Sequence, residues 1–75
     1  MTVIPSLSYT EILHALERAG WQVSRQRGSH LRLTRFAEGR LKKLTIPAHR
    51  PVKRTTLAKI IKQADLTLEE FLGLL

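Results

Sequence analysis

The stretch Trp21-Gln22-Val23-Ser24-Arg25-Gln26-Arg27-Gly28-Ser29-His30-Leu31-Arg32-Leu33-Thr34 decides the fold. Its apolar residues fall on alternate positions, Trp21 and Val23 against Gln22, Ser24 and Gln26, which is the period of a half-buried strand. Arg27-Gly28-Ser29 interrupts the alternation as a turn does. Beyond it Leu31 and Leu33 point one way while His30, Arg32 and Thr34 point the other, so His30 belongs to a polar sheet face.

Further along, Ala37-Glu38-Gly39-Arg40 reads as a hairpin loop, followed by a strand with Leu44 and Ile46 inward and Lys43 and Thr45 outward. Three antiparallel strands result. Pro47 and Pro51 end the strand, leaving Ala48-His49-Arg50-Pro51 as an ordered loop.

Helical periods flank the sheet. Ser8-Tyr9-Thr10-Glu11 has the capping-box form, so a helix is expected from Tyr9, with Ile12, Leu13, Leu16 and Ala19 on one face and His14 and Glu17 toward solvent. Gly20 can take the left-handed conformation that ends it. Leu57, Ile60, Ile61 and Ala64 form a second apolar stripe, with Lys59, Lys62 and Gln63 off it. Thr67-Leu68-Glu69-Glu70 is another capping box, and Leu68, Phe71, Leu72 and Leu75 are expected to bury a short terminal helix. The expected architecture is α+β, with helices packed on a three-stranded antiparallel sheet in the order α-β-β-β-α plus a short C-terminal helix.

At 75 residues, residues 1–75 are expected to form a single domain. There is no cysteine, so neither a disulfide framework nor a thiolate metal site is available. The opening Met1-Thr2-Val3-Ile4-Pro5-Ser6 lacks the basic and apolar regions of a signal peptide, and no apolar run approaches the ~20 residues of a membrane span. A soluble, unprocessed, cytoplasmic protein is expected.

Charge says more than size. Thirteen Lys and Arg against six Asp and Glu leave +7. Arg25, Arg27, Arg32, Arg35, Arg40, Lys42, Lys43, Arg50, Lys53 and Arg54 are opposed between positions 25 and 54 only by Glu38, so that segment carries +9 and the flanks −2. A solvated basic surface is the plainest explanation, but so concentrated a patch points to a polyanion. A membrane surface fits less well, because Gly28, Gly39, Pro47 and Pro51 break the segment and leave no basic amphipathic helix. Nucleic acid is the leading partner class.

No serine–histidine–acid group, catalytic carboxylate pair or phosphate-cradling glycine loop can be assembled at recognised spacings. His14, His30 and His49 match no zinc pattern, so no metal or other cofactor is expected. What remains is His30 beside Ser29 and Arg32 in a phosphate-attracting field. RNA carries its own nucleophile, so cleavage needs only proton transfer at the 2′-OH and the leaving 5′-oxygen, with cations to hold the charged phosphorane. An imidazole, whose ordinary pKa is ~6.5, can serve either proton role near neutrality. Taken alone, a polar-face histidine is more often just a surface residue.

Four segments together resemble the HicA family of messenger-RNA interferases, the toxin half of a type II toxin–antitoxin pair. They are Leu16 to Gly20-Trp21, then Arg25-Gln26-Arg27-Gly28-Ser29-His30, then Ile46-Pro47-Ala48-His49, and finally Thr56-Leu57-Ala58-Lys59-Ile60-Ile61-Lys62-Gln63-Ala64. Each is weak alone, but their order and spacing span nearly the whole chain. The resemblance implies a double-stranded-RNA-binding-like fold and a ribosome-independent, metal-independent mRNA endoribonuclease. It assigns catalysis to the Gly-Ser-His histidine, His30, and implies a HicB-type antitoxin partner.

With that assignment, Arg25, Arg27, Ser29, Arg32, Lys43, His49, Lys53 and Arg54 are the expected RNA-binding residues. His49 either supports the chemistry or holds its turn, and Ser29 either binds phosphate or closes the turn. Lys43, His49 and Arg32 all remain open as the second proton-transfer group. Thr55 and Asp65 stand where the family commonly has glycine, which makes Thr55 a candidate cap and requires Asp65 to end its helix by another route. Two other functions compete: a non-catalytic RNA-binding module, and an interaction protein whose basic face docks an acidic partner.

Overall fold

The computed structural model describes residues 4–49 and 51–75. Arg50, counted above in the basic segment and its loop, and Met1-Thr2-Val3, part of the expected non-signal start, lie outside the described residues. Helix α1 (Tyr9–Arg18) leads into strands β1 (Gln22–Arg27), β2 (His30–Ala37) and β3 (Arg40–Pro47), followed by α2 (Arg54–Gln63) and α3 (Leu68–Leu72). The sheet is antiparallel in the order β1-β2-β3. The α+β order read from periodicity is the observed one.

The capping boxes form as expected. Ser8 Oγ accepts the Glu11 N–H while Glu11 Oε1 accepts the Ser8 N–H, and Thr67 and Glu70 repeat the exchange at α3. Helix α1 ends with the Gly20 N–H on the Glu17 carbonyl and the Trp21 N–H on the Leu16 carbonyl, both 3.0 Å. Those two bonds, with Gly20 at φ 99°, make a Schellman stop that drops Trp21 into the core.

Helix α2 departs from expectation at both ends. Thr55 lies inside the first turn, and the N-cap is Lys53, which makes no side-chain cap bond. At the other end Asp65 does not take another route. It adopts φ 59°, with its N–H on the Lys62 carbonyl and the Leu66 N–H on the Ile61 carbonyl, the same stop that glycine makes in α1.

One apolar cluster joins the helices to the inner sheet face: Ile12, Ala15 and Leu16 of α1, Leu31, Leu33, Leu44 and Ile46 of the strands, Leu57, Ile60 and Ile61 of α2, and Phe71 of α3, together with Trp21. His14 and Glu17 are exposed, as their helical phase requires. Leu75 is not part of the buried face, being 48% exposed, and Leu74 packs against the cluster instead.

β1 is also not the half-buried strand expected from alternation. All six of its residues are exposed, Val23 included, because α1 and α2 pack against β3 and leave β1 uncovered. Its register shifts between Val23 and Arg25, so Ser24 is a bulge residue with its Oγ donating to the Arg32 carbonyl at 3.2 Å. Simple alternation would keep Arg25 and Arg27 on the side of Val23. The bulge turns both to the other side.

Candidate nucleic-acid interface

The sheet face away from the helices is built in rows set by strand register. Arg27, His30 and Pro47 stand abreast at one end, then Arg25, Arg32 and Thr45, then Gln22, Thr34 and Lys43, and finally Phe36 and Leu41. Same-face rows lie two residues apart, about 7 Å. Five of these residues, Arg25, Arg27, His30, Arg32 and Thr45, line one shallow depression, and Arg32, Lys43 and Thr45 continue into a second with Leu44 and Gln63.

His30 owes its position to the turn before it. Arg27 and His30 pair across a two-residue loop in which Gly28 has φ 58° while Ser29 does not share the positive sign. That is the type II′ pattern, with glycine at the first central position, and its twist suits a tight hairpin. His30 thereby becomes the first residue of β2, exposed and directly opposite Arg27.

The same end carries the loop expected to hold the second histidine. The Ala48 N–H donates to the Ser29 carbonyl at 2.6 Å, and the His49 carbonyl accepts the Tyr9 N–H at 3.3 Å. An isolated antiparallel bridge joins Leu7, ahead of α1, to Val52, after the loop. His49 is exposed and its backbone ties the loop to α1, while its side chain does not line the depression holding His30.

The electrostatics of the face follow from what is missing opposite it. Among the described residues the ion pair formed joins Lys42 to Asp65 on the helix-facing side, and no carboxylate pairs with Arg25, Arg27, Arg32 or Lys43. Their fields add over an open, solvated surface that attracts polyanions. Arg35 also faces inward, near the end of α1: a Cβ at Gly20 would come within 3.2 Å of its Nε.

The expected site residues thus divide. Arg25, Arg27, His30 and Arg32 come together, Lys43 adjoins them, and Ser29 sits in the turn. Lys53 and Arg54 lie at the start of α2, outside both depressions, and the Arg54 Nε–H donates to the Ile4 carbonyl at 3.0 Å. Three lining residues were missed, Thr45, Leu44 and Gln63. Alternation puts Thr45 outward and Leu44 inward, whereas Gln63 comes from α2, which packs against β3. No group of three or more metal-ligating side chains occurs among the described residues, and none of their helices is long and apolar enough to cross a membrane.

No curated protein matches the chain. A family model described as the HicA toxin of bacterial toxin-antitoxin does match, over residues 9–66, from the first residue of α1 through all three strands and α2 to Leu66 just beyond it. The match takes in the bulge, the turn, His30 and the His49 loop. The chain belongs to the HicA toxin family of bacterial toxin–antitoxin systems.

Proposed function

We propose that this toxin is a ribosome-independent, metal-independent mRNA endoribonuclease acting in the cytoplasm as one domain, with His30 as its general acid/base. The observation that carries this reading is the depression in which an exposed imidazole shares a surface with Arg25, Arg27 and Arg32, none of them paired with a carboxylate among the described residues. The guanidiniums hold the scissile phosphate and its neighbour, since arginine presents a planar fork of donors suited to phosphate oxygens.

His30 takes the proton of the 2′-hydroxyl as its oxygen attacks phosphorus, the P–O5′ bond breaks, and the leaving oxygen takes a proton from the second proton-transfer group, which is one of Lys43, His49 and Arg32. The products are a 2′,3′-cyclic phosphate and a free 5′-hydroxyl. Positioned acid–base help is worth ~10²–10⁴-fold, and a placed cationic donor on the phosphorane roughly another 10²–10³. Ser29, Lys43, His49, Lys53 and Arg54 extend the RNA contact around this centre.

Family membership brings an antitoxin partner. In this reading the partner is of the HicB type and neutralises the toxin by covering the open sheet face. The test is induction of the chain alone beside His30→Ala, with growth and total messenger RNA followed. Arrest and transcript loss with the native chain only are expected. Equal, harmless expression of both, with RNA binding retained by the purified proteins, would establish a non-catalytic RNA-binding module instead.

A further inference from the structure

The open face ends in an apolar pair that acid–base chemistry does not use. Phe36 is 71% exposed and Leu41, its cross-strand partner, 56% exposed, side by side beyond the row of Thr34 and Lys43. The remaining aromatics are not available in this way: Trp21 and Phe71 are buried, and Tyr9 is half-buried at the start of α1. Phe36 presents the exposed ring of the sheet, on the same side as His30 and Arg32 and six residues along the strand from His30, about 20 Å.

We propose that Phe36, backed by Leu41, is a stacking platform for an RNA base a few nucleotides from the scissile phosphate, and so a determinant of which single-stranded segment is cut. The inference rests on the RNA-cleaving reading above. A cationic track that ends on an exposed ring is the combination by which proteins hold single strands, the charges following the backbone and the π-face taking a base. Arg32 and Lys43 lie between the ring and His30 on the same surface, so the charges favour a polyanion along that line. Leu41 stands directly across the strands from Phe36 on the same face, an apolar neighbour for a stacked base.

The experiment measures binding of RNA made uncleavable by 2′-O-methylation, by fluorescence anisotropy, for the native chain, Phe36→Ala, Phe36→Leu and Phe36→Trp. Because Phe36 is exposed, these variants remain folded, which thermal melting checks. Phe36→Ala and Phe36→Leu are expected to weaken binding of an oligomer of about ten nucleotides by roughly 10-fold, with Phe36→Trp restoring it and a dinucleotide bound equally by all. Equal binding of the long oligomer by native chain and Phe36→Ala overturns the platform while leaving His30-dependent cleavage intact. The same result with loss of antitoxin binding in Phe36→Ala makes the pair a protein-docking spot. Failure of the native chain to bind any RNA overturns this inference and the proposed function together.

Discussion

Lys42, on the helix-facing side of β3, pairs through its Nζ with Oδ2 of Asp65, the residue that stops α2 in a left-handed conformation. Two opposing effects meet there. A left-handed conformation costs an L-residue roughly 1–2 kcal/mol, somewhat less for Asp, and an exposed ion pair returns about 0–1 kcal/mol. Asp65→Gly removes both and is expected to stay within about 0.5 kcal/mol of the native chain. Asp65→Ala keeps the strain and loses the pair, so it is expected to be less stable by about 1 kcal/mol or more. Urea unfolding midpoints compare the two, and equal midpoints would mean the backbone conformation at this position contributes nothing.

The same residue shows where sequence reasoning stopped. Asp65 does not advertise a left-handed stop as glycine does, so a different helix ending was expected. Elements whose signal is local were legible: Ser8 and Thr67 with their partners three residues on, Gly20, and the alternation of Leu31 and Leu33. β1 was not, because a bulge at Ser24 leaves no local mark and the exposure of Val23 depends on which strands the helices cover. His30 was readable on the polar face from alternation alone. The company of Arg25 and Arg27 was a register effect, invisible until β1 and β2 were paired.

Glu38 offers an independent gain. Glu38 and Gly39 link β2 to β3 with φ 54° and 74°, positive at both positions as a type I′ turn requires. Glutamate is poorly suited to the first position, where asparagine is favoured. Glu38→Asn is expected to stabilise the chain by about 0.5–1 kcal/mol, raising the melting midpoint by several degrees for a domain of this size. An unchanged or lowered midpoint in calorimetry would mean the turn relaxes around glutamate without strain.

The division of cations between the two sheet faces predicts a salt signature. Arg25 and Arg32 stand opposite each other on the open face, whereas Lys42 points to the helices and pairs with Asp65. Each phosphate neutralised on a single strand steepens the dependence of log affinity on log salt by about 0.7. Arg25→Ala and Arg32→Ala are therefore each expected to flatten that slope by roughly this amount, while Lys42→Ala leaves it unchanged. RNA titrations from low to high salt decide the matter. Equal flattening by all three variants would show that RNA senses only net charge.

His30 makes no side-chain hydrogen bond or ion pair among the described residues and is exposed at the start of β2. Its replacement by alanine should therefore leave stability within about 0.5 kcal/mol. If the imidazole carries a proton in the transition state, single-turnover cleavage falls by ~10²–10⁴-fold while the affinity for 2′-O-methylated RNA stays put. Arg27→Ala, across the hairpin, should behave differently. A guanidinium that holds the phosphate in both ground and transition states affects binding as well as rate. If His30→Ala instead lost affinity and rate in the same proportion, the imidazole would be a phosphate ligand, and the proton-transfer role would pass to another group at that end of the sheet, where the His49 loop is pinned against Ser29.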